Sequence, residues 1–189
     1  MRPRAPTLVA AGQVALVALL GVCVALRPGL VVKRNEGGVS NYGVHVGTVV
    51  PYTLAFALDA AALALAARRL SPAAAGLRRV LGVQAALVLA TLVTTYPYQH
   101  ATALKDVHFA VGAALLVFEG ASGWWLWRGA SRGRAATGSL AVLGAGLALC
   151  ALASAAIWHV LFAGQVLVTA GDTALLVGAA RAPGLAARL

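Results

Sequence analysis

Of 189 residues, 61% are hydrophobic and 11% charged, with mean hydropathy +0.86, whereas a soluble globular domain carries about a quarter charged residues. That balance excludes a soluble enzyme. Fifteen basic residues against five acidic ones give a formal charge of +10, but they stand in short clusters between apolar runs (Arg68/Arg69 with Arg78/Arg79, then Arg128/Arg132/Arg134), as in loops facing a cytoplasmic lipid surface; no nucleic-acid partner is expected.

A membrane-spanning helix takes about 20 mostly apolar residues. Read in chain order, six such runs are predicted near 7–26, 48–67, 80–96, 107–127, 138–157 and 161–180. The fold class is therefore all-α, a single transmembrane domain over 1–189. Met1-Arg-Pro-Arg4 resembles the start of a signal peptide, and Leu20-Gly-Val-Cys23 a lipoprotein box. Val22 is too large for the position before such a cysteine, so the first run is read as a retained helix. The first loop, about 20 residues, exceeds the usual helix connection of roughly 2–8 and carries Glu36-Gly-Gly-Val-Ser-Asn-Tyr-Gly43. Its glycines permit tight turns, and Ser40 and Asn41 can bond local amides, so the loop is expected to cap whatever opens beside it.

Further along, Trp124, Trp125 and Trp127 beside Arg128 form an inner interfacial anchor, and Tyr96, Tyr98 and Trp158 an outer one. Gly144 and Gly146 are expected to mark a close-packing helix surface, as are the alanines of 60–67. The last two spans form one apolar stretch from Ser139 to Ala180, expected to fold back around Trp158 to Gly164. Cys23 and Cys150 fall inside spans, so no disulfide is expected. Eleven of the fifteen Lys and Arg lie at the termini and in the second and fourth loops, and four (Arg27, Lys33, Arg34, Lys105) on the other side. By the positive-inside rule both termini are cytoplasmic. Thirteen arginines against two lysines, with abundant Ala, Gly and Val, suggest a GC-rich bacterial genome and hence a bacterial plasma membrane.

The carboxylates carry the functional signal. Asp59, Glu119 and Asp172 fall near the midpoints of spans 2, 4 and 6, where an ionisable group costs at least ~2.5–3.5 kcal/mol. Helical spacing puts Tyr52 and Asp59 on one stripe beginning at Thr48; His108, Gly112 and Glu119, continued by Ser122, on a second; and Gln165, Thr169 and Asp172 on a third. If the stripes face one another, they line a polar cavity open at the outer side and closed at the inner one. The expected ligand-binding set is Asn41, Tyr52, Asp59, His108, Glu119, Gln165 and Asp172. An outer rim is expected from Glu36, Ser40, His45, His100, Asp106 and His159. The plainer alternative is that each carboxyl is hydrogen-bonding glue between helices and each histidine an interfacial residue. Lys105-Asp106-x-His108 lacks the helical spacings of a zinc site, so neither a metal nor a cofactor is expected.

Gly38-Val-Ser-Asn-Tyr-Gly43, leading into an apolar span, resembles the Ile-Ser-Asp-x-Gly segment before the second span of the six-helix DRAM/Frag/Sfk family of membrane proteins. Val107-His108-Phe-Ala-Val-Gly-Ala-Ala is similar to that family's His-containing start of span 4, and Asp172-Thr173 to its acidic position in the last span. The proline usual before the loop motif is missing, Asn41 stands where an aspartate is typical, and the aromatic partner of the last-span acid is absent. The resemblance implies work on or with lipids; a bacterium has neither the lysosomes nor the glycolipid anchors of the eukaryotic relatives, so only the lipid theme carries over. The expected function is non-catalytic binding or organisation of membrane lipid through the outward cavity. The alternatives are a lipid hydrolase or transferase with a His/Asp site on the outer face, a small proton-coupled transporter, and a subunit with a membrane-protein partner.

Overall fold

The computed structural model describes residues 4–31, 38–96, 102–129, 133–155 and 160–182. They form six helices: α1 (Ala5–Leu26), α2 (Val49–Arg69), α3 (Ala75–Thr95), α4 (Thr102–Gly129), α5 (Arg134–Ser154) and α6 (Leu161–Arg181). Each is long and apolar enough to cross a membrane, and there is no strand among the described residues. Helices are what such sequences must form in lipid, where every backbone amide has to be satisfied within its own segment.

The ends of the helices follow from local chemistry. Pro28 disfavours helical geometry at Arg27, which closes α1 with its N–H on the Cys23 carbonyl at 3.0 Å. Leu70, extended ahead of Ser71-Pro72, stops α2, and Arg68 and Arg69 lie in its last turn, where cations favour the negative end of the helix dipole. The spans predicted near 7–26, 107–127 and 161–180 lie within helices, while those near 48–67, 80–96 and 138–157 each run one to three positions past an end of α2, α3 or α5; α3 takes Arg78 and Arg79 into its first turns and α4 runs from 102 to 129.

The sixth helix begins at 161, where the sequence places it, but the fold-back does not extend as far as Gly164. Helix α5 ends at Ser154 and α6 begins at Leu161, so Gly164 lies inside α6, and Trp158 falls outside the described residues. Gly164 is a packing residue: a Cβ there would stand 2.9 Å from both the Cys150 nitrogen and the Gly146 carbonyl oxygen. A Cβ on Gly146 would meet the Val168 nitrogen at 2.5 Å. The two backbones thus approach as closely as small residues allow. Gly144, paired with Gly146 in the sequence reading, has nothing within 4 Å of its Cβ position and takes no part in this contact.

Consecutive helices pack side by side, and α6 returns against both α4 and α1. The result is a ring of α1, α2, α3, α4 and α6, with α5 packed mainly on α6 and also against α4. One end of the bundle carries exposed Arg4, Arg68, Arg69, Arg78, Arg79, Arg128, Arg134 and Arg181. Trp124 and Trp127 stack there at 5.0 Å, and the Trp127 indole N–H reaches Thr137 at 3.2 Å, joining α4 to α5. The other end carries the first loop. Tyr96 is exposed at that loop end; Tyr98 lies outside the described residues.

Candidate functional site

Each helix of the ring contributes a polar side chain at one depth: Gln13, Asp59, Gln84, Glu119, and Asp172 with Thr173. Each lies eight to ten positions from the arginine-bearing end of its helix, about 12–15 Å at 1.5 Å per residue. The Gln13 amide donates to Asp59 Oδ1 at 2.9 Å, and its own oxygen accepts from the Thr173 hydroxyl at 2.7 Å. The Gln84 amide nitrogen donates to Asp172 Oδ2 at 2.5 Å and to Glu119 Oε1 at 3.4 Å. Two glutamines therefore tie five helices together: Gln13 joins α1 to α2 and α6, and Gln84 joins α3 to α4 and α6. Gln84 and Asp172 are each only 1% exposed, yet Gln84 Oε1 and Asp172 Oδ1 have no hydrogen-bond partner among the described residues. Every described arginine is exposed, so none is buried with these carboxyls.

Above this cluster lies a cavity of about 1130 Å³, at the top of the usual range for ligand pockets, roughly 300–1,000 Å³. Gln13, Asp59, Glu119 and Asp172 line its floor; Thr91, His108, Gln165 and Thr169 line its walls with Leu16, Leu20, Phe56, Val88, Leu116 and Phe162; Ser40, Asn41 and Lys105 line the loop end. The Lys105 ammonium lies 5.5 Å from the centre of the Phe109 ring, a cation–π distance.

The loop is built onto this mouth. Gly38 has φ +87, a conformation that favours glycine, and a Cβ there would press on Gln165 Oε1 at 2.8 Å. The next residue, Val39, donates its N–H to the same oxygen at 2.9 Å. A helical turn over Val39–Val44 follows. It is held by Tyr42, whose hydroxyl donates to the Arg27 carbonyl at 3.3 Å and whose ring meets Phe162 edge-on at 6.1 Å, and by Thr48 donating to the Tyr42 carbonyl at 2.7 Å. Burial, with a smaller effect from Cys23, raises the Tyr42 pKa above its usual value, which keeps the phenol a donor.

Of the residues singled out in the sequence, Asp59, Glu119 and Asp172 converge, and Asn41, His108 and Gln165 line the same cavity. The Gln165 carbonyl oxygen, however, is engaged by the loop. His108 Nδ1 lies 3.0 Å from the Thr94 hydroxyl. Tyr52 does not line the cavity: its hydroxyl meets Thr95 on α3 at 3.0 Å and its ring stacks on Phe56 at 4.6 Å. Asp59, seven positions on and within about 20° around the helix, does line it.

On the rim, Ser40 lines the mouth. His45 is half-buried away from the cavity, its carbonyl starting α2 by accepting from Val49 at 3.1 Å. Asp106 is exposed on α4 and lines no part of the cavity, since one residue beyond Lys105 is about 100° around the helix. Glu36, His100 and His159 lie outside the described residues. Among the described residues, no three His, Cys, Asp or Glu are grouped to hold a metal ion.

Sequence reasoning missed Gln13 and Gln84. Their signal was a lone amide in each otherwise apolar run, at the depth of the carboxyls on the neighbouring helices. Compared with family models, curated proteins and solved structures, the chain matches none of them.

Proposed function

We propose that this chain is a non-catalytic, multi-pass plasma-membrane protein of a bacterium that binds or organises membrane lipid, taking an amphiphile into the cavity from the outer side. One observation carries this reading. A single cavity joins accessible apolar walls (Val17 59%, Phe109 51% and Val166 42% exposed) to a polar floor about half-way through the bundle. Such a space suits a molecule with one apolar and one polar end. The arginine-bearing end faces the cytoplasm by the positive-inside rule, so the mouth capped by Ser40 and Asn41 faces outward. The resemblance to the DRAM/Frag/Sfk family points to the same lipid theme.

Native mass spectrometry of the detergent-purified protein tests it. A stoichiometric lipid is expected on the wild type and lost from Asp59→Asn and Glu119→Gln, which keep size and hydrogen bonding while removing the acid. A bare polypeptide, or lipid retained equally by both variants, overturns the reading. Three carboxyls at one depth also favour a proton-coupled transporter. That reading expects no bound lipid, and proton movement abolished by the same two variants.

A further inference from the structure

We infer that the polar end of the amphiphile is a primary or secondary amine carried as its ammonium ion, set down on the floor formed by Asp59, Glu119 and Asp172. This rests on the amphiphile reading above and adds the chemistry of the head.

The inference comes from counting donors and acceptors. An ionised carboxyl only accepts hydrogen bonds, and an amide offers one accepting oxygen and two N–H donors; an ammonium ion set beside a carboxyl is what favours its ionised form. At the floor the Gln13 nitrogen donates to Asp59, the Gln84 nitrogen to Asp172 and Glu119, and the Thr173 hydroxyl is shared between the Gln13 oxygen and the Thr169 carbonyl. Two acceptors at this level remain. Gln84 Oε1 and Asp172 Oδ1, on side chains 1% exposed, have no partner among the described residues, and a buried acceptor without a donor is costly. Of the two, Asp172 lines the cavity, while Gln84 stands behind it as its hydrogen-bond partner.

Among the described residues, positive charge is missing in the same place. Every described arginine is exposed. Lys105, the cation lining the cavity, precedes Glu119 by fourteen positions on α4, about 21 Å along the axis. Its ammonium is held over Phe109, away from the floor. A group that completes this floor has to bring N–H donors and positive charge together. Phosphate and carboxylate heads bring further acceptors and negative charge. A hydroxyl brings a donor without charge, and a quaternary ammonium brings charge without a donor. An alkylammonium brings both, and charge-assisted hydrogen bonds are the stronger kind.

Four probes sharing one twelve-carbon chain isolate the head: dodecylamine, dodecanol, dodecyltrimethylammonium and dodecanoate, titrated near neutral pH onto the full chain in nanodiscs with native mass spectrometry as readout. Dodecylamine is expected to bind saturably, at least about tenfold tighter than any of the other three. In Asp172→Asn and Glu119→Gln that advantage is expected to disappear. The thermal unfolding midpoint identifies a variant that fails to fold, and the other variant then carries the comparison. Dodecanol, dodecyltrimethylammonium or dodecanoate binding as tightly as dodecylamine overturns the inference of a primary or secondary ammonium and leaves the amphiphile reading standing. Saturable binding of none of the four overturns both.

Discussion

Gln84 has a single amide nitrogen, and two carboxyls on two different helices accept from it. Replacing it with Met keeps the length of the side chain but removes the amide and leaves Asp172 Oδ2 and Glu119 Oε1 without their donor in a buried site. The expected cost is about 1–3 kcal/mol, read as a lowered unfolding midpoint in detergent; an unchanged midpoint would mean the glutamine is not structural. The neighbouring carboxyls were legible in the sequence because a charged group at mid-membrane depth is too costly to be incidental. The glutamines carry no charge and so raise no comparable alarm. Their importance appears only once Gln13 and Gln84 are seen at the depth of Asp59 and Asp172. Tyr52 marks the opposite error: it shares a stripe with Asp59, yet its hydroxyl meets Thr95 on α3 while Asp59 lines the cavity.

At the scale of the helix, the α5–α6 contact offers a matched pair of substitutions. Gly146→Ala places a methyl group 2.5 Å from the Val168 nitrogen and 2.7 Å from the Gly164 carbonyl oxygen, backbone atoms that cannot turn aside as a side chain can. Overpacking of this kind costs about 1–3 kcal/mol. Gly144→Ala, two positions away and facing open space, is expected to change stability by less than about 0.5 kcal/mol. Unfolding of the two variants in mixed micelles makes the comparison, and equal effects would remove the close contact as an explanation. The sequence pointed to this pair of glycines but not to which of them is in contact. It also let the α5–α6 fold-back run on to Gly164, because a glycine in an apolar run reads alike whether it ends a helix or lets another backbone approach.

For the whole molecule, the number of helices and their pairwise succession were legible, because about 20 apolar residues between charged breaks is a length requirement of the bilayer. Their arrangement in a ring, with α5 against α4 and α6, was not. In a membrane the lipid-facing side of a helix is as apolar as the packed side, so sequence polarity ceases to mark the interior except where a carboxyl or amide stands. The orientation is tested by single cysteines introduced into a chain whose own Cys23 and Cys150 are buried. Val46→Cys, at a position 88% exposed at the loop end, is expected to react with a membrane-impermeant maleimide in intact cells. Ser71→Cys, exposed at the arginine end, is expected to react only after permeabilisation; the reverse pattern would invert the protein and the direction in which its cavity opens.

The bond from Thr173 to Gln13 spans 160 positions of the chain, and this sets a schedule for biosynthesis. At about 5–20 residues per second, Gln13 emerges roughly 10–30 s before its partner on α6 has been translated. The Asp59 carboxyl arrives early and can take the Gln13 N–H, but the Gln13 oxygen must wait, as must the pairing of Gln84 with Asp172 across 88 positions. A nascent chain stalled before α6 therefore holds unsatisfied amides inside the bilayer. Insertion and ring closure are separate events, the second possible only once α6 has been made.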